Sequence, residues 1–210
     1  MDYSDRGLID WAVAAKTLEG QKESGDHHWV RVGPSRAMAA VVDGVGHGNE
    51  AALAARTALA ALDESAGESP LTLFQRCHAR LRPTRGVVMS LALFNATDDT
   101  LTWLGVGNVE GVLFRRHLHH LPRQERLLQR PGVLGDHLPR LAASVVRISA
   151  GDVLVFATDG VGEGFSDHTD VNDSPRQIAD RILTRFGRGT DDALVLVARY
   201  LHGKGEITIR

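Results

Sequence analysis

Asp43-Gly44-Val45-Gly46-His47-Gly48 follows the apolar run Ala39-Ala40-Val41-Val42 and leads straight into an Ala/Leu-rich run over residues 49–62. Apolar residues, an Asp, glycines at alternate positions and a helix-forming run spell strand, tight turn, helix. A carboxylate at the mouth of a buried strand, beside exposed glycyl backbone, makes sense where a cation sits. The rest of the chain can then be asked which other carboxylates join it.

Upstream of this stretch, residues 8–15 alternate as a first strand, residues 19–26 are polar loop, and residues 28–32 and 36–42 form a hairpin across Gly33-Pro34-Ser35. Downstream, the helix from Asn49 ends near Glu64, and Pro70 opens a second helix running to Leu81. Its expected apolar face is Leu71, Phe74, Cys77, His78 and Leu81. Strand-like segments follow at 87–94, 100–106 and 111–115, the first two joined by the turn Asn95-Ala96-Thr97-Asp98-Asp99. Consecutive strands with short turns favour antiparallel sheet over βαβ crossovers. Residues 115–147 read as mixed polar and Pro-rich connections. A buried strand at 152–157 ends at Thr158-Asp159-Gly160, a helix spans 175–186, and Thr190-Asp191-Asp192 precedes a last strand at 193–200. One domain over residues 1–201 is expected, with 202–210 a tail or an edge strand.

The chain has 210 residues, 43% of them hydrophobic, and a formal net charge of −2. That is enough for one well-buried core, and the near-balance of charge argues against nucleic acid or membrane as a partner. No apolar run approaches the ~20 residues of a membrane span, and the acidic start is unlike a signal peptide. Cys77 is the only cysteine, so no internal disulfide can form. A reducing cytoplasm fits best, and the thiol is expected to be buried and inert.

Asp43, Asp159 and Asp191 share a grammar: each stands at one end of a nearly continuous apolar strand, and the first two precede glycine. One such Asp is ordinary turn chemistry. Three at the ends of core strands would repel one another if brought together, unless a divalent cation lay between them. All-oxygen ligation favours Mg²⁺ or Mn²⁺, and a pair of ions ~3.5–4 Å apart is suited to phosphoester cleavage. Gly44, Gly46 and Gly48 do not make a dinucleotide fingerprint, since position 49 is Asn, and no Gly-Lys-Ser/Thr follows to make a P-loop.

The order of the motifs is more telling than any one of them. Ser24-Gly25-Asp26, Val42-Asp43-Gly44-Val45-Gly46-His47-Gly48, Gly105-Val106-Gly107-Asn108, Ala157-Thr158-Asp159-Gly160 and Thr190-Asp191-Asp192 resemble, in sequence and spacing, the metal-dependent Ser/Thr phosphatases of the PPM (type 2C) superfamily. Within it the chain is most similar to the SpoIIE-like branch and its small RsbX-like phosphatases of the stressosome. Gln75-Arg76-Cys77, Arg85-Gly86 and Gly132-Val133-Leu134-Gly135 extend that likeness, which spans about residues 8–201.

The resemblance implies an α+β fold, an αββα sandwich of two antiparallel sheets flanked by helices, binding two Mn²⁺ or Mg²⁺ ions. Asp43 matches the carboxylate bridging both ions, Gly44 a backbone-carbonyl ligand, and Asp159 and Asp191 the ligands of the second ion. These would be catalytic through a bridging metal-bound water. Asp26 matches an acidic position acting through metal-bound water, and Asp192 a residue that positions the ligand loop. Asn108 stands where larger members carry an Asp that helps hold a third metal, which argues against a third ion. His47 substitutes for a family histidine, absent here at Val45, as a candidate proton donor to the leaving group.

The implied activity is removal of phosphate from phosphoserine or phosphothreonine on stressosome scaffold or antagonist proteins, RsbR/RsbS-like, by a monomer or weak dimer. Two alternatives stand beside it: a SpoIIE/RsbU-like phosphatase of an anti-sigma-factor antagonist, and a non-catalytic partner-binding module of the same fold. The basic stretch Arg115-Arg116-His117-Leu118-His119-His120, with Arg123, Arg126 and Arg130, reads as a solvated hairpin or a rim that attracts an acidic partner.

Overall fold

The computed structural model describes residues 7–116 and 122–202. Two sheets lie face to face. The first runs in the order β1 (Ile9–Lys16), β11 (Ala193–Tyr200), β10 (Val153–Ala157), β6 (Glu110–Phe114) and β7 (Gln124–Arg126). The second runs β2 (Asp26–Val32), β3 (Arg36–Gly44), β4 (Val87–Asn95), β5 (Thr100–Val106) and β8 (Gln129–Arg130), with β9 (Ser144–Arg147) also on β5. Every pairing is antiparallel except β5 with β8, where two residues pair in parallel.

The apolar runs are continuous because both faces of each sheet are covered. Along β3, Ala37, Ala39 and Val41 face the other sheet, sharing a core with Phe94 and Trp103 of their own sheet and with Phe156 and Tyr200 of the other. Met38, Ala40 and Val42 face outward under α1 (Asn49–Glu64) and α2 (Pro70–Leu81), packing with Leu62, Phe74 and Leu91. On the far side α3 (Pro175–Phe186) sets Ile178, Ala179 and Ile182 against Val155, Val195 and Val197. The layers are therefore α, β, β, α, as the family resemblance implied.

Local chemistry fixes the helix starts. Ser69 accepts from the Thr72 N–H with Pro70 in the first turn, and Ser174 and Gln177 form a reciprocal capping box with Pro175 behind Ser174. The buried face of α2 carries Leu73, Phe74, Cys77 and Leu81, while Leu71 is 38% exposed. The spacing had put Leu71 on that face; Leu73 takes its place because Pro70 at the helix start is itself buried and turns Leu71 outward.

Four further readings change. β2 begins at Asp26, two residues earlier than the alternation suggested. The segment 111–115 does not extend the meander but crosses to the other sheet as β6, between β10 and β7. Residues 115–147 contain β7, β8 and β9 rather than connections alone. Arg115 belongs to no exposed rim: its side chain is 10% exposed and lies on Asp152, at 3.0 Å, and on Glu125. Residues 117–121 of the basic stretch and 203–210 of the expected tail or edge strand lie outside the described residues. No helix among the described residues is long and apolar enough to cross a membrane.

Candidate metal centre

The alternation that sorts β3 into two faces continues to Asp43, which therefore faces between the sheets at the end of the sandwich. In the β2–β3 register Asp26 stands directly opposite Asp43. Two carboxylates thus share one face of one ladder, with Cβ atoms ~4.5–5.5 Å apart for such pairs. From the opposite sheet, β10 ends and delivers Thr158 and Asp159, and the residues before β11 deliver Asp191 and Asp192.

The joint between the sheets is a chain of short hydrogen bonds. The buried Thr158 hydroxyl donates to Asp26 Oδ2 at 2.7 Å and accepts from the Leu194 N–H at 2.9 Å. Asp192, only 3% exposed, accepts from the Gly25 N–H at 2.7 Å and the Leu18 N–H at 2.8 Å. The backbone N–H of Asp192 in turn donates to Asp191 Oδ1 at 2.8 Å. Asn108 Nδ2 donates to Asp159 Oδ2 at 2.6 Å. Buried polar groups need such partners, and each link also sets the direction of one carboxylate.

Two glycines allow the loops to close. A Cβ on Gly44 would stand 2.1 Å from the Ala51 carbonyl oxygen, and one on Gly160 would stand 1.9 Å from that of Asp192. Neither site can take a side chain without moving backbone. The motif glycines thus let α1 press on the end of β3 and let the Asp159 loop press on the Asp191–Asp192 loop.

The electrostatics are those of crowded carboxylates. Burial, then the charges of Asp26, Asp159, Asp191 and Asp192, pushes Asp43 up to about 8. Burial pushes Asp26 up to about 7; the Thr158 hydrogen bond opposes that rise, and the charges of Asp192, Asp159 and Asp191 add to it. Asp159 and Asp191 are exposed at the mouth. Negative charge packed this way calls for a cation. Among the described residues no three acidic, histidine or cysteine side chains close on a single point.

The carboxylates singled out from sequence therefore border the same end of the sandwich, together with Asn108, without closing on a single point. His47 is in the same loop as Asp43 but exposed, its Nδ1 3.3 Å from Gln21 Nε2. Among the described residues no hydrogen bond joins it to Asp43, Asp159 or Asp191. Thr158 and Gly25 carried no assigned role in the sequence. A lone hydroxyl closing a five-residue apolar strand was the available signal for Thr158.

A family model described as stage II sporulation protein E (SpoIIE) matches residues 33–201. The chain belongs to the SpoIIE family. Among relatives of this SpoIIE-family chain, the phosphoserine phosphatase RsbX of Bacillus subtilis (strain 168) is 24% identical over 155 residues, covering 73% of this chain and 75% of RsbX. A chain solved in work on the bacterial stressosome, a modular system adapted to control secondary messenger signalling, is 29% identical with a TM-score of 0.83, covering 91% of this chain and 99% of that one. RsbX in complex with magnesium superposes with a TM-score of 0.82 at 19% identity, covering 93% and 96% of the two chains. The SpoIIE-family fold is thus the sandwich these proteins share.

Proposed function

We propose that this chain is a metal-dependent phosphatase of phosphoserine or phosphothreonine in proteins, holding Mn²⁺ or Mg²⁺ at the open end of the sandwich. The observation that carries the reading is that Asp26 and Asp43 from one sheet and Asp159, Asp191 and Asp192 from the other border the same end of the sandwich and act on one another through their charges. Asp43, the Gly44 carbonyl, Asp159 and Asp191 would hold two ions, and the kinship with RsbX phosphatases supports that assignment. When bound, such ions supply Lewis acidity toward phosphoryl oxygens and toward water.

The protein's own part is positional. Thr158 fixes the buried Asp26, which stands opposite the half-buried Asp43 in the β2–β3 ladder. Asn108 turns Asp159, and the Asp192 main chain turns Asp191, which holds the exposed ligands at set angles before any ion arrives. Such preorganisation lowers the reorganisation needed during reaction.

For the substrate, we favour a phosphorylated stressosome scaffold or antagonist protein of the RsbR/RsbS kind. The likeness to a chain from stressosome work, over nearly the full length of both, supports that choice over an RsbU-like target. The test is hydrolysis of p-nitrophenyl phosphate with and without Mn²⁺, followed by a panel of phosphorylated partner proteins. Mn²⁺-dependent turnover is expected. Its absence, with Asp43→Asn behaving like the parent, would instead support a non-catalytic binding module.

A further inference from the structure

The charges that act most strongly on Asp26 and Asp43 are all carboxylates. Ions can offset that charge, but a phosphate monoester brings up to two further negative charges, and its oxygens on the side away from the ions need a donor of their own. The residues bordering the centre offer few cations in position. Arg130 and Arg188 are tied to it by main-chain bonds, from the Gly107 N–H to the Arg130 carbonyl at 2.9 Å and from the Arg188 N–H to the Gly160 carbonyl at 2.8 Å. Arg126 lies on Glu110 and Ser166.

The Arg188 side chain touches the far loop, its Nε 3.8 Å from a Cβ built on Gly162, whereas the Arg85 side chain reaches the loop that leaves Asp43. The β3–β4 ladder pairs Asp43 with Val88 and Gly44 with Val87, and the Val45 N–H donates to the Gly86 carbonyl at 3.1 Å. That ladder places Arg85 beside the backbone that leaves Asp43. A Cβ built on Gly46 would stand 3.0 Å from Arg85 Nη1, so the guanidinium rests on the loop three residues past Asp43. Its ion-pair partner is Glu50 in the first turn of α1, and the two side chains are 54% and 65% exposed. An ion pair this exposed is weak and easily exchanged. A phosphoryl group offers the same guanidinium a doubly charged acceptor set in a matching fork geometry.

We infer that Arg85 is the side chain that takes hold of the substrate's phosphoryl group, with Glu50 as its resting partner. This rests on the phosphatase reading above. Glu50 keeps the guanidinium folded over the Gly46 loop until phosphate displaces it, so the two residues act on affinity with opposite sign.

The experiment compares the parent, Arg85→Ala, Arg85→Lys and Glu50→Gln, all with Mn²⁺ present. It measures kcat and KM for p-nitrophenyl phosphate, the inhibition constant of inorganic phosphate, and the rise in Tm that inorganic phosphate produces. Arg85→Ala is expected to raise KM and the inhibition constant about tenfold with little change in kcat, and to abolish the Tm rise. Arg85→Lys should fall between, keeping charge but losing the fork. Glu50→Gln should lower the phosphate inhibition constant about two- to threefold. An inhibition constant in Arg85→Ala within twofold of the parent overturns the assignment. So does a loss confined to kcat, or a Glu50→Gln effect in the same direction as Arg85→Ala, since each marks a role in holding the loop. A parent with no Mn²⁺-dependent turnover defeats the phosphatase reading itself, whereas an active parent with an unaltered Arg85→Ala defeats Arg85 alone.

Discussion

Replacing Asp43 by Asn should stabilise the metal-free protein while destroying its response to metal. Asp26 and Asp43 face each other in register, so at ~5 Å and an effective dielectric constant of ~20 their full charges would repel by ~3 kcal/mol. Burial adds to the cost of charging either one. The sign follows from the direction of the shifts. Asp43 is raised from 3.8 to about 8, so the native state retains a proton that the unfolded chain has released. Its contribution to stability is full below the ordinary carboxylate range and is lost as pH climbs to about 8. Asn has nearly the same shape and cannot ionise, so it escapes that loss. Taking ~1–3 kcal/mol as the part recovered, and ~2–4 °C per kcal/mol for a chain of this size, Asp43→Asn should melt about 2–12 °C above the parent at pH 8.5 in EDTA. The gap should narrow toward pH 4.5. Saturating Mn²⁺ at ~100 times its dissociation constant should add ~2.7 kcal/mol to the parent and almost nothing to the variant. Thermal melts followed by circular dichroism, at both pH values with EDTA or Mn²⁺, would decide it. A variant that melts with or below the parent in EDTA at pH 8.5, or a gap independent of pH, refutes the picture of two facing carboxylates that resist ionising together without a cation.

Other perturbations separate ligand roles from architecture. Asp159→Asn and Asp191→Asn, at exposed positions, should leave the EDTA melting temperature within ~2 °C of the parent. Their Mn²⁺-dependent p-nitrophenyl phosphate turnover should nevertheless fall by ~100-fold or more in steady-state assays. Gly160→Ala drives a methyl into the Asp192 carbonyl and should cost ~2–3 kcal/mol by urea denaturation, with activity lost as well. Thr158→Val removes the buried hydroxyl that both donates to Asp26 and accepts from Leu194; ~1–3 kcal/mol should be lost in the same urea experiment. Cys77 is fully buried and its thiol is pushed up to about 12 by that burial, so a disulfide exchange reagent should label it only at the rate of unfolding.

The long elements were legible because each carries its own signal. The β-strands from β3 to β5 and β10 to β11 are largely apolar, α1, α2 and α3 have helical spacing, and α2 and α3 open on Ser-Pro pairs where the caps need them. The acidic positions were legible too, because a carboxylate at the end of a core strand is out of place unless something balances it. β7, β8 and β9 were not, since runs of two to four partly exposed residues hold no period of their own. They exist because β5 and β6 would otherwise present an open ladder edge. The crossing of β6 into the other sheet was equally hidden: the turn at Gly107-Asn108 looks like any hairpin turn, and only packing against β10 decides which sheet receives the next strand. Arg115 misled for the opposite reason. A run of basic residues reads as a solvated face, and nothing local says that Asp152, thirty-seven residues on, is 1% exposed and waiting for it.

That same Gly107-Asn108 turn shows how the crossing serves the centre. By carrying the chain from one sheet to the other at the sandwich's open end, it sets Asn108 against Asp159, which arrives from the neighbouring strand β10. An amide donates to that carboxylate; an aspartate at the same place would face it charge to charge, and only a further cation could make the pair tolerable. The crowd of carboxylates is already large enough to push two of its members above the carboxylate range. With Asn108 the protein gives up one potential ligand, and in exchange Asp159 is oriented by a neutral hydrogen bond whether or not metal is present. In a centre built in this way part of the burden of holding the phosphoryl group passes to whatever cation the loops supply, and Arg85 rests on the Gly46 loop beside Asp43.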